Sequence, residues 1–71
     1  MLMKPPKKNE IKTARLACGL TQAKASELIG KKIRIWQMYE SGEQLMNGAI
    51  WELFLLKTKN LKAKNTQYGL Q

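Results

Sequence analysis

Apolar residues recur along this chain at helical spacing, in four short blocks punctuated by Gly19, Thr21, Gly30, Gly42 and Asn47. The first block places Ile11, Ala14, Arg15, Ala17 and Cys18 on a face built from small groups, with Lys12 on the wet side. Asn9 is its expected N-cap, Glu10 falls in the first turn where the helix dipole favours an anion, and Gly19 ends it. Leu20 is then expected as a core contact in the turn, bracketed by that terminator and the next cap, Thr21. The second block runs from Gln22 to about Ile29, with Ala25, Leu28 and Ile29 inward and Gln22, Lys24 and Glu27 outward. Lys24 stands where a capping box has Glu, so only half of that device is present.

Gly30 turns the chain into a third helix, predicted from near Lys32 to Ser41–Gly42. Ile35, Trp36 and Tyr39 face the core, and Lys32, Ile33, Arg34, Gln37 and Met38 take the opposite face. Residues Gly42 to Met46 read as a turn containing Glu43 and Gln44. Asn47 caps a fourth helix that continues through Ala49, Ile50, Trp51, Leu53, Phe54, Leu55 and Leu56 to about Lys57. Its apolar positions cover more than one stripe: either the helix is central to a small core, or some of Trp51, Leu55 and Leu56 face a second subunit.

The ends differ from this middle. Residues 1–8, with Pro5 and Pro6 among lysines, read as a flexible basic arm of the kind that lies along phosphates or is simply solvated. Residues 59–71 read as a basic tail or short helix, frayed or docked through Leu61 and Tyr68, leaving one domain over 9–58. With 71 residues there is room for one small core, and 44% hydrophobic content is enough to form it.

Charge sharpens the picture. The net charge of +8, from 13 Lys or Arg against 5 acidic residues, is most easily explained by a polyanionic partner. Met1 to Arg34 holds nine basic and two acidic residues, Ile35 to Ile50 holds only Glu40 and Glu43 among charged residues, and Trp51 to Gln71 contributes +3, so positive potential is concentrated in the first stretch. The chain has no histidine or aspartate and one cysteine, Cys18, which argues against a structural zinc, a metal centre or a conventional hydrolase. No cofactor and no catalytic residue is expected, and with no Gly-rich phosphate loop an enzymatic reading is weak. The apolar run Ala49 to Leu56 is short and broken by Glu52, and MLMKPPKK is not followed by a signal-length hydrophobic stretch. A cytoplasmic, nucleoid-associated protein without membrane contact is the expectation.

Two short helices joined by three or four residues with a glycine between them can cross steeply, the first lying over a nucleic-acid backbone and the second entering the major groove. Gln22, Lys24 and Lys31 are then candidates for phosphate, as is Lys32. Arg34 suits guanine O6 and N7, and Gln37 suits adenine N6 and N7. Ile33 and Met38, if exposed, meet thymine methyl groups; if buried, they are core or dimer contacts.

The run LTQAKASELIG followed by RIWQMYESGE resembles the helix-turn-helix of the Cro/repressor (XRE-like) family: a leucine, Thr-Gln opening helix two, alanines and a leucine inside, a glycine turn, and Tyr-Glu-x-Gly at the end of helix three. The resemblance spans about Glu10 to Lys57. It implies an all-α, compact four- or five-helix, lambda-repressor-like DNA-binding domain, with phosphate contact at Gln22 and groove contacts at Lys32, Ile33, Arg34, Gln37 and Met38. It also implies core roles for Trp36 and Tyr39, and a helix exit shaped by Glu40 and Gly42. The ending YESGEQLMNGAIWELFLLK is similar to small phage and bacterial regulators, among them autorepressors and antitoxin-like proteins. Lys31 and Lys32 depart from the family, which has a small aliphatic residue and a Ser or Thr cap there; helix three is therefore expected to start late or fray.

The leading expectation is sequence-specific binding of double-stranded DNA as a transcriptional repressor, with a homodimer formed at least on DNA. An activator touching polymerase through Glu40 or Glu43 is a variant of it. The alternative is a protein-binding antitoxin or adaptor whose partner surface is Trp51, Leu55, Leu56 and Met38.

Overall fold

The computed structural model describes residues 4–70 and their side chains as far as residue 59, and within them the backbone forms four helices and no strand. They are α1 (Lys8–Ala17), α2 (Gln22–Leu28), α3 (Ile33–Ser41) and α4 (Gly48–Leu70). The expected docking of Leu61 and Tyr68 lies outside the described side chains.

Helix α1 starts two residues before the position an Asn9 cap implies, because Lys7 is the N-cap. A lysine side chain cannot accept a hydrogen bond, so this start is made from the other direction: the Glu10 carboxylate accepts the Lys7 backbone N–H at 2.8 Å. Pro6, just ahead, is buried, so the basic arm packs back onto the domain by its last residues.

Helices α1 and α2 end in the same way. Gly19 and Gly30 both adopt φ +70, the left-handed conformation in which glycine carries no Cβ penalty. After α1, the Leu20 N–H reaches back to the Arg15 carbonyl and the Gly19 N–H to that of Leu16; after α2, Lys31 does the same to Ser26 and Gly30 to Glu27. Four-residue connections of one design therefore set α2 against α1 and α3 against α2. The Thr21 cap accepts the Lys24 N–H at 3.1 Å, as expected. Lys32 caps α3 without a side-chain bond, and α3 nevertheless begins at once with Ile33, its first turn closed by Ile35 and Trp36 N–H groups on the Lys32 carbonyl.

Ile11, Ala25, Ile29, Trp36, Tyr39, Met46 and Phe54 form the core. Its centre is a chain of aromatic rings: Trp36 lies 6.3 Å from Tyr39 in an edge-to-face arrangement and 5.0 Å from Phe54, which in turn stacks on Trp51 at 6.0 Å. Leu20, Leu28 and Ile35 pack against this cluster while staying partly exposed. Two expectations change. Met46, read as part of a turn, is fully buried and anchors the α3–α4 connection to the core. Ala17, read as inward, is exposed, because α1 is rotated to turn Ile11 and Arg15 toward α3.

Asn47 accepts the Ile50 N–H at 2.8 Å and so caps α4. The helix then runs past the expected end near Lys57 to Leu70, so no separate fifth helix occurs among the described residues. Phe54 and Thr58, four residues apart, are buried, and the Thr58 hydroxyl donates to the Phe54 carbonyl at 2.8 Å. Trp51 and Leu55 share that inward stripe, half-buried against the core. Leu56 is one residue further round, about 100° away on the helix, and is 57% exposed.

Candidate nucleic-acid interface

Helix α3 divides into two faces by its own periodicity. Ile35, Trp36 and Tyr39 point inward, and Ile33, Arg34 and Gln37 lie along the outer face, all exposed. Lys31 and Lys32 stand exposed at its start. Met38 is half-buried at the edge of this face rather than on it. Among the described residues the carboxylate that pairs with the cations of α2 and α3 is Glu27, 3.8 Å from Lys24, an exposed contact that leaves both side chains 69% accessible. Lys31, Lys32 and Arg34 have no such partner within the described residues, so the outer face of α3 and its approach are positively charged.

Behind that face lies a polar centre built on Glu40. Its carboxylate accepts from Arg15 Nε and Nη2 of α1, from Trp36 Nε1 one turn earlier in α3, and from Gln22 Nε2 at the start of α2. The remaining Arg15 donor, Nη1, goes to the Leu20 carbonyl in the α1–α2 turn at 3.0 Å. Three helices and a turn are thus tied at one carboxylate whose side chain is only 7% exposed. Burial by itself disfavours the charged form, but the hydrogen bonds from Arg15, Trp36 and Gln22, together with the Arg15 charge, outweigh it and hold Glu40 below its ordinary carboxylate value. No polar side-chain atom buried in the described part of the molecule lacks a partner.

The sequence-predicted residues separate on this framework. Lys32, Ile33, Arg34 and Gln37 come together on one accessible surface, with Lys31 beside them and Lys24 on α2, whereas Met38 is at the margin. Gln22, half-buried at the start of α2, is hydrogen-bonded within the domain: its amide nitrogen donates to Glu40 Oε1 at 3.1 Å and its amide oxygen accepts from Gln37 Nε2 at 3.4 Å. It is a strut linking the buried carboxylate to the exposed end of Gln37. Glu40 is equally unavailable as an outward contact for polymerase, since its oxygens are occupied internally; Glu43, accepting from Ser41 Oγ at 3.2 Å, is exposed. Trp51, Leu55 and Leu56 do not form one surface, because the first two lean on the core and the third points away.

Arg15 was the residue that sequence reasoning under-read. Its position four after Ile11, inside an otherwise small apolar face, is the available signal that a buried cation needs a buried anion. The matching signal is Glu40, four after Trp36, where an indole N–H one turn away can reach it.

No family model matches the chain, and no curated protein matches it. Among the described residues no helix is long and apolar enough to cross a membrane, and no group of three or more His, Cys, Asp or Glu side chains is placed to hold a metal ion.

Proposed function

We propose that the chain is a sequence-specific double-stranded DNA-binding protein of the Cro/repressor type, acting as a transcriptional repressor, and that α3 is its recognition helix. The observation that carries this reading is the exposed outer face of α3, where Arg34 and Gln37 lie three residues apart beside Ile33 and the cations Lys31 and Lys32, with the opposite face locked into the core through Trp36 and Glu40. A rigidly mounted helix with planar hydrogen-bonding side chains suits base edges, for which orientation matters, whereas mobile lysines suit phosphate, which only needs charge.

In this reading Arg34 and Gln37 pair with base edges, Ile33 packs on a thymine methyl group, and Lys24, Lys31 and Lys32 hold phosphates. Gln22, the remaining phosphate candidate, also orients Gln37 from the Glu40 centre. A domain this small makes few base contacts alone, so two copies on a palindromic site, about one helical turn apart, are the natural assembly. Such a protein works in the cytoplasm, on the nucleoid.

Selection from a random duplex pool at two salt concentrations tests the reading. A palindromic consensus recovered at both supports it. Binding without a consensus that collapses as salt rises would reduce the chain to a phosphate-binding polycation and remove the base-reading role of α3.

A further inference from the structure

Trp51, half-buried and stacked on Phe54, lines two open hollows. One, of about 380 Å³, runs along Thr13, Ala14 and Ala17 of α1. The other, of about 490 Å³, is walled by Lys4, Pro5, Pro6 and Lys7. Both include Trp51 and Glu10, so they adjoin as one groove beside the indole. No lining residue comes from α2 or α3, which leaves the outer face of α3 uncovered when the groove is filled.

The groove's chemistry selects an occupant. Its walls are preformed, since the two prolines have fixed φ, Pro6 is buried, and the Lys7 backbone is tied to Glu10. Small side chains opposite Trp51 leave space for one apolar residue, and an aromatic floor rewards filling it. At the proline end the exposed Lys4 and Lys7 side chains have no carboxylate partner among the described residues, so that end attracts negative charge. In the middle, Glu10 and Asn9 offer oxygen acceptors. A phosphodiester backbone brings no donors to them; a peptide brings backbone N–H groups.

We propose that this groove docks a short acidic peptide segment of a partner protein, with one apolar side chain against Trp51 and its carboxylates at Lys4 and Lys7. The proposal is independent of the DNA-binding reading, and its site differs from a surface made of Trp51, Leu55 and Leu56.

The test is a titration of isotope-labelled protein with a synthetic peptide bearing a central Leu-Phe pair flanked by two glutamates on each side, and with its lysine counterpart. The acidic peptide is expected to shift the Trp51 indole N–H and the backbone signals of Thr13, Ala14 and Ala17, and the lysine peptide to leave them in place. Filling the groove with Ala17→Phe, at an exposed helix position, is expected to weaken the acidic peptide at least tenfold, and reversing charge with Lys4→Glu and Lys7→Glu together to do the same. Thermal melts confirm that each variant is folded, and DNA binding by Ala17→Phe is expected to be unchanged. Absence of shifts at Trp51, shifts centred on Lys31, Lys32 and Arg34 instead, or affinity insensitive to both variants would overturn the groove as a peptide site.

Discussion

Arg15 and Glu40, 25 residues apart in sequence, meet as a forked ion pair in which Nε and Nη2 of the guanidinium donate to the two carboxylate oxygens. The pair is shielded from water, with 11% and 7% of the two side chains exposed, and it sits where α1, α2 and α3 converge. Removing one partner leaves the other charge buried and unmatched. Glu40→Ala is therefore expected to cost roughly 3–5 kcal/mol of folding stability, read from urea denaturation midpoints. Replacing both charges, with Arg15→Met and Glu40→Leu together, should recover part of that loss and no more, since Trp36 Nε1 and the Leu20 carbonyl still lose their partners. A Glu40→Ala variant as stable as the parent would contradict the role of this pair.

The same carboxylate gives the fold an acid limit. Glu40 has its pKa lowered in the folded state, so the unfolded chain takes up its proton first as pH falls. Its contribution is complete above the ordinary carboxylate range and is lost as pH drops from there through the lower folded-state value. The melting temperature of the parent protein is expected to fall on acidification across that window, with a smaller fall for Glu40→Gln. Equal pH dependence in the two proteins would assign the acid sensitivity to other groups.

The aromatic chain predicts an order of severity. Trp36 is fully buried between Tyr39 and Phe54, whereas Trp51 is half-exposed beside a groove. Trp36→Ala is expected to cost roughly 3–5 kcal/mol, a large part of the stability of a small domain, and Trp51→Ala distinctly less. Thermal melts of the two variants measure this directly. A reversed order would mean that α3 is rotated relative to the core.

Features of the fold that depend on neighbours in sequence were legible there. Gly19 and Gly30 after apolar helical blocks, Thr21 and Asn47 before them, and the inward spacing of Trp36 and Tyr39 are local signals, and the structure has the corresponding turns, caps and core. The start of α1 was not legible, because a lysine N-cap carries no side-chain signature and the decisive bond comes from Glu10. Met46 was missed since the adjacent pair Leu45–Met46 in a polar turn has no period to tell the buried member from the exposed one. In the candidate site, the outer positions Ile33, Arg34 and Gln37 of α3 followed from periodicity, whereas Met38, expected among them, is half-buried at the edge. The hydrogen bonds of Gln22 did not follow, because its partners Glu40 and Gln37 are 18 and 15 residues away.

The central claim is that the outer face of α3 reads bases. Its most direct test compares the consensus selected from random duplexes by the parent protein with those selected by Arg34→Ala and Gln37→Ala. Each variant should keep its melting temperature and lose preference at one base position in each half-site, corresponding to roughly 1–3 kcal/mol of discrimination. An unchanged consensus in both variants, with affinity unchanged or lowered equally for every sequence, would contradict base reading by α3.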